Sequence, residues 1–302
     1  MSGPGLTILW RGPLESCNYA CDYCPFAKRY EDAAALARDR AALERFAGWA
    51  EARAHERLRV LFTPWGEALI RPWYQEALVR LSRLPQVERV AIQTNLSCPL
   101  TWLEGAERST LALWCTWHPT QVARARFLEK CRELLRREVR FSVGVVGLRE
   151  HVEQLEALRA ELPEQVYLWV NAYKREGPGY YPAEDLARLA AVDPLFAWNA
   201  VHHESQGRAC RTGESVISVD GEGDVRRCHF VPERLGNLYE PGWEQALRPR
   251  PCPNATCGCY IGYVHLEHLG LDRVYGPGLL ERIPLGSKAC PTKSSASASV
   301  AG

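Results

Sequence analysis

Residues 15–29 read ESCNYACDYCPFAKR, with Cys17, Cys21 and Cys24 inside eight residues and a proline, an aromatic and two cations directly behind them. The stretch lies between the apolar run LTILW (6–10) and a long helical pattern, so the thiols are expected on a loop that leaves the C-terminal end of a strand. In βα folds that end carries the functional groups. Structural zinc takes four ligands, usually from two paired knuckles, and a fourth is missing nearby. Iron-sulfur clusters are also held by thiolates. A four-iron cluster tied by three cysteines keeps one iron free for another ligand, although a distant cysteine could still complete a zinc site.

Outward from this loop the strand-then-helix order repeats. Short β-branched or aromatic runs at 6–10, 59–63, 89–94, 111–117, 139–146 and 166–172 predict six strands. Between them, 30–56, 72–84, 120–137 and 148–162 carry apolar residues at intervals of three and four, the period of an amphipathic helix. The segment 96–109 is weaker and predicts one short helix. Right-handed crossovers between parallel strands make this an α/β chain, a partial (β/α)6 TIM-like barrel over 1–175. Its functional loops should then include PWGEAL (64–69), QTNLS (93–97), WHPT (117–120) and GLREH (147–151), which all follow strands. REGPGYYP (175–182) breaks the pattern. A short helix from Ala183 and a turn-rich, cysteine-rich stretch with the hairpin ESVISVDGEGDVRRC (214–228) predict a smaller second domain over 176–270. A C-terminal segment, 271–302, ends in KSSASASVAG, whose composition predicts disorder.

Composition narrows the class. Apolar residues make up 46% and charged residues 24%, an ordinary globular balance. Lys and Arg number 37 against 36 Asp and Glu, so no basic field favours nucleic acid. The sequence start has no cationic leader before an apolar run and no stretch of about 20 apolar residues follows, which predicts a cytoplasmic protein away from membranes. Twelve cysteines in that compartment point to metal ligation before disulfides. Cys210, Cys228, Cys252, Cys257 and Cys259 form a second gathering, whereas Cys98, Cys115, Cys131 and Cys290 are scattered and read as small buried hydrophobes or incidental thiols.

With Tyr23 before its last cysteine, the Cys17-x3-Cys21-x2-Cys24 loop resembles the signature of the radical S-adenosylmethionine (SAM) enzymes. The resemblance implies a [4Fe-4S] cluster whose open iron chelates the methionine moiety of SAM. One electron then cleaves SAM, and the resulting 5'-deoxyadenosyl radical abstracts hydrogen from a substrate. TPWGEAL is similar to the family's Gly-Gly-Glu motif through Gly66 and Glu67, with Trp65 standing at the first glycine. By the same resemblance Val145 and Val146 would line the adenine, and Gln93, Asn95 and Ser142 are ribose-contact candidates. Lys28 or Arg29 would tune the cluster potential, or simply be solvated cations. His118, in CTWHPT, is the candidate catalytic side chain, for substrate binding or proton transfer; a histidine satisfied by loop atoms is the alternative. His202, His203, His265 and His268 are read as structural or supporting groups, and the tryptophans as core.

Cys210, Gly223 and Cys228, followed by Gly236 and Asn237, resemble the opening of the auxiliary-cluster region of twitch and SPASM members of that family. Too few cysteines follow for two auxiliary clusters, so one extra [4Fe-4S] cluster is implied, held by Cys210, Cys228 and two of Cys252, Cys257 and Cys259. Zinc remains open there. The family implies an external electron donor such as flavodoxin or ferredoxin. Its members with such a region commonly act on peptides, which suggests oxidation or cross-linking of a ribosomally made peptide; no small peptide-recognition domain is expected before the first strand. The alternatives are a small-molecule dehydrogenase or rearrangement enzyme, and a non-catalytic iron-sulfur or zinc redox protein.

Overall fold

A computed structural model describes residues 5–26 and 29–286. Six strand-led units open the chain: β1 (Leu6–Arg11), α1 (Ala33–Glu51), β2 (Leu58–Phe62), α2 (Pro72–Ser82), β3 (Val87–Thr94), β4 (Leu111–Thr116), α3 (Arg124–Arg136), β5 (Arg140–Gly147), α4 (Val152–Glu161) and β6 (Leu168–Ala172). The weak segment after β3 forms only a 3-10 turn, Thr101–Gly105. β1 to β6 pair in sequence order, every pair parallel, giving a mixed α/β fold on a large parallel sheet. Local chemistry starts the helices where they begin. Asp32 accepts from the Ala35 amide at 2.8 Å as the N-cap of α1, and Pro72 occupies the first turn of α2, where its missing N–H costs nothing.

Both faces of the sheet are buried, as parallel strands require. On the helix side Ile8, Val60, Ile92, Leu113, Val143 and Val170 meet the apolar stripes of the helices, among them Phe46, Leu78, Leu128 and Leu155. Cys98, Cys115 and Cys131 lie in this core, as small hydrophobes. The inner face carries Leu9, Leu61, Ala91, Ala112, Trp114 and Trp169, and the chain beyond residue 200 covers it.

That later chain contains α5 (Ala183–Val192), α6 (Phe196–Ala200), β7 (His203–Glu204), β8 (Ala209–Cys210), β9 (Val216–Asp220), β10 (Asp224–Arg226), β11 (Arg234–Asn237), β12 (Arg250–Pro251), β13 (Thr256–Cys257), α7 (Tyr260–Tyr263) and α8 (Leu271–Tyr275). The hairpin at 214–228 forms, and it extends the main sheet: β9 runs parallel along β1 from Thr7↔Val216 to Arg11↔Asp220, with β10 and β11 antiparallel outside it. Two short antiparallel ladders, β8 with β12 and β7 with β13, fix Cys210 and Cys257. Past α8 the chain returns beneath the inner face, where the buried Glu281 pairs with Arg140 at 2.8 Å and its carbonyl accepts from the Ser142 hydroxyl at 2.6 Å. Lys28, Cys290 and the Ser/Ala-rich end lie outside the described residues. Among the described residues no helix is long and apolar enough to cross a membrane.

The inner face is tightly packed where β5 meets β6. A Cβ on Gly144 would come 1.9 Å from the Trp169 ring, so Gly144→Ala is expected to cost about 1–3 kcal/mol through overpacking. A lower denaturant midpoint at unchanged slope would register it.

Candidate active site

The thiols of Cys17, Cys21 and Cys24 border one cavity of about 180 Å³ at the C-terminal ends of β1 to β4, together with Gly66, Glu67, Gln93, Asn95 and His118. Four strand-end loops thus contribute, and each is tied to its neighbour. Glu67 is the centre of this seam. Its buried carboxylate accepts from the Leu69 amide at 3.1 Å, the Thr94 hydroxyl at 2.7 Å and the Asn95 amide at 2.5 Å. Burial raises its pKa to about 7 against the opposing pull of those donors. The Glu67 amide in turn donates to the Ser16 carbonyl at 3.1 Å. Gly66 makes that approach possible, since a Cβ there would sit 1.8 Å from the Ser16 oxygen.

The cysteine loop is held from both sides. Ser16 donates its amide to Glu31 at 2.8 Å, and its hydroxyl accepts from Arg71 at 3.0 Å. Asn18 accepts from Asn95 at 3.0 Å and donates to Ser97 at 3.0 Å, and the Ala20 amide donates to Gln121 at 3.0 Å. Arg29 pairs with Glu15 at 2.8 Å on the surface. Burial raises the Cys17 thiol and takes Cys21 to about 11, so both are protonated thiols at neutral pH unless a cation displaces the proton.

His118 lines the cavity, and burial lowers its imidazole to about 4. As a neutral ring its Nδ1 lies 3.0 Å from the Tyr23 hydroxyl and 3.3 Å from the Cys21 sulfur. The other ribose and adenine candidates are dispersed. Ser142 is fully buried, accepting from the Trp169 indole at 3.0 Å while donating to Glu281. Val145 packs into the helix-side core, and Val146 is half-buried near the end of β5. Of the remaining histidine candidates, His203 donates to the Trp198 carbonyl at 2.8 Å and His265 is buried, whereas His202 and His268 are exposed.

Among the distal cysteines all five thiols are electrostatic neighbours: Cys228 senses Cys210 and Cys252, and Cys257 senses Cys259 first, then Cys228 and Cys252. Cys259 is also within electrostatic reach of Arg11, Arg282 and Lys174, and it is exposed where the other four are buried or half-buried. Among the described residues no three Cys, His, Asp or Glu side chains gather tightly enough to hold a single metal ion.

A second, larger cavity of about 420 Å³ adjoins the first and is lined by Arg11, Trp65, Asp220, Arg226, His229 and Phe230. Trp65 and Phe26 meet edge to face at 5.0 Å and separate the two spaces. The position of Arg11 at the end of β1 was a usable signal in the sequence. His229, whose Nε2 lies 2.9 Å from the Thr63 hydroxyl, had none beyond its place beside Cys228.

No protein-family model and no curated protein matches the chain. Solved structures do. Native anSMEcpe with bound AdoMet matches with a TM-score of 0.53 at 15% identity, over 80% of this chain and 82% of that one. Streptococcus suis SuiB bound to S-adenosylmethionine gives 0.55 at 16% identity, over 80% of this chain but only 65% of SuiB. Native anSMEcpe with bound AdoMet and Cp18Cys peptide gives 0.50 at 16% identity, over 80% and 82% of the two chains. At such identities the likeness is one of fold.

Because three donors converge on one buried carboxylate, Glu67→Gln should cost about 1–3 kcal/mol by setting an amide NH2 against N–H donors. Chemical denaturation of the variant beside wild type measures it.

Proposed function

We propose that the chain is a radical SAM enzyme with the partial-barrel arrangement expected for that family, its reaction centred on the cavity at Cys17, Cys21 and Cys24. The observation that carries this reading is that three thiols and no fourth cysteine border a cavity also lined by Gly66, Glu67, Gln93 and Asn95. That donor set suits a cluster with one iron open to an outside ligand. When bound, the cluster and SAM supply a 5'-deoxyadenosyl radical that takes a hydrogen atom from substrate. The chain's own residues hold and shape. Glu67 fixes the edges of the β2 and β3 loops, Gly66 brings the β2 loop against Ser16, and Tyr23 with His118 closes the β4 side. Gln93 and Asn95, which line the cavity, would contact polar groups of SAM. His118 serves positioning, since its Nδ1 is already engaged.

For the auxiliary site the reading favours Cys210, Cys228, Cys252 and Cys257 as the ligands of one further [4Fe-4S] cluster, within a smaller unit spanning 176–270. The electrostatic coupling among these thiols supports it; Cys259, coupled to Cys257 but exposed and close to three cations, is left as the fifth thiol. Gly262 leaves room beside Cys257, since a Cβ there would lie 2.7 Å from its sulfur. The substrate belongs in the larger cavity, which Trp65, Phe230 and His229 help to line. Its exposed aromatic border suits a peptide side chain, and the anSMEcpe fold with a bound Cp18Cys peptide is in keeping with that class. An external flavodoxin or ferredoxin would deliver the electron.

Reduced, anaerobically reconstituted protein incubated with SAM should form 5'-deoxyadenosine, and Cys17→Ala, Cys21→Ala and Cys24→Ala should each abolish it, a loss of at least a hundredfold. Wild type that forms none above the Cys17→Ala background sinks the reading. Iron analysis is expected to show about eight irons per chain, unchanged in Cys259→Ala and halved in Cys228→Ala.

A further inference from the structure

Arg11 brings a positive charge into the wall of the 420 Å³ cavity without a counter-ion. Its Nε donates to the Thr63 carbonyl at 2.9 Å, and its guanidinium lies over the Trp65 ring at 5.3 Å. These two contacts orient the group and leave both Nη nitrogens without an acceptor among the described residues. Asp220 is paired with Arg11 across the register of β9 and β1, yet its oxygens are taken elsewhere. Oδ2 accepts from Arg226 at 2.6 Å, and Oδ1 accepts from the Glu222 and Asp224 amides at 3.1 and 2.9 Å. Arg226, the other arginine of the cavity wall, is thereby neutralised, with Asp224 as a second carboxylate at 3.7 Å. Arg11 is the arginine left uncompensated. Burial lowers its pKa to about 10, so it stays cationic at neutral pH while carrying a desolvation cost. The Thr63 bond and the Trp65 contact use one nitrogen and one ring face, and the remaining donors point to a ligand.

The same cavity offers an apolar surface beside that charge. Trp65 and Phe230 line it and are 39% and 41% exposed, large aromatic faces that the fold leaves uncovered. Val219, Val231 and Pro232 add aliphatic wall. Trp65 also joins the two spaces, since the ring that carries Arg11 meets Phe26 at 5.0 Å, and Phe26 lines the three-cysteine cavity. A ligand held by Arg11 therefore lies against the aromatic partition between the two cavities.

We infer that Arg11 anchors a carboxylate of the substrate in the larger cavity through its two Nη nitrogens, with the carbon skeleton of the substrate laid against Trp65 and Phe230. A planar guanidinium presents parallel donors that match the two oxygens of a carboxylate. A phosphate monoester carries close to two negative charges and calls for a second free cation, which Arg226 does not supply. In a peptide the carboxylate belongs to an acidic side chain or to the C-terminus. The inference rests on the reading of this cavity as the place of the substrate, but binding needs neither SAM nor reductant and is tested without them.

Calorimetric titration of the anaerobic, reconstituted holoprotein at matched ionic strength compares 3-phenylpropionate with the neutral 3-phenylpropionamide and with 3-phenylpropyl phosphate, for wild type, Arg11→Gln and Arg11→Lys. Wild type should bind the acid about tenfold or more tighter than the amide, the worth of a charge-assisted hydrogen bond. Arg11→Gln, which keeps a side-chain N–H for the Thr63 carbonyl, should bind acid and amide alike, whereas mere damage to the fold would weaken both and preserve their ratio. Arg11→Lys, a point charge in place of a fork, should keep part of the preference. No preference for the acid in wild type, or an undiminished one in Arg11→Gln, overturns the inference. Tighter binding of the phosphate overturns the carboxylate assignment. Should Arg11→Gln fail to fold, Arg11→Lys decides: a preference equal to that of wild type overturns the inference, and a reduced one supports it. N-acetylglutamate N'-methylamide and N-acetylalanine, each against its neutral amide, then separate the sources: a preference in the first assigns an acidic side chain and in the second a C-terminus, and either supports the inference. Acid binding through Arg11 in a protein that makes no 5'-deoxyadenosine keeps the site and removes the radical reading, and 5'-deoxyadenosine formed without any acid preference does the reverse.

Discussion

The site depends on one buried carboxylate held between three loops. Glu67 receives donors from its own turn and from the end of β3, and its amide reaches the cysteine loop at Ser16. A carboxylate can do this where a neutral side chain cannot, because it accepts at two oxygens and its bonds are charge-assisted. Desolvation opposes the arrangement, which is why the group titrates near neutrality. The cysteine loop owes its shape to this junction, and Gly66 is the residue that lets the backbones come close enough to make it.

A second constraint comes from the burial of the sheet on both faces. The helix-side core closes locally, strand by strand, whereas the inner face is roofed by residues far along the chain, including Tyr260, Tyr263 and Leu266. Aromatic side chains dominate that roof and its floor. They give large apolar contact and offer ring faces to a cation, so the same rings that close the core also cage Arg282.

Elements set by local pattern were legible in the sequence. The six strands run as single apolar stretches because both faces are covered, and the thiols, Gly66, Glu67, Gln93, Asn95 and His118 fall at strand ends, where topology brings them together. Non-local pairings were not legible. Nothing near Val216 announces Thr7 as its partner, so the hairpin's place along β1 had no sequence signal. Ser142 read as a ribose-contact candidate by resemblance, and what the sequence could not show is that its hydroxyl is engaged by Trp169 and Glu281 on the inner face. Arg282 lies in a turn-rich stretch without period, and its aromatic cage forms only in the fold. Spacing could not choose among Cys252, Cys257 and Cys259, because what sets Cys259 apart is its exposure and the company of Arg11, Arg282 and Lys174.

The docking of Glu281 under the inner face has a consequence for biogenesis. At a translation rate of about 5–20 residues per second, the cysteine loop emerges tens of seconds or less before the strand-capping residues that shut the compartment from below. During that interval the three thiols are made but not yet enclosed from below, and are open to solvent and to oxygen. Once the Glu281 carboxylate meets Arg140, the inner face is covered at that end, and exchange with solvent proceeds from the strand-end side.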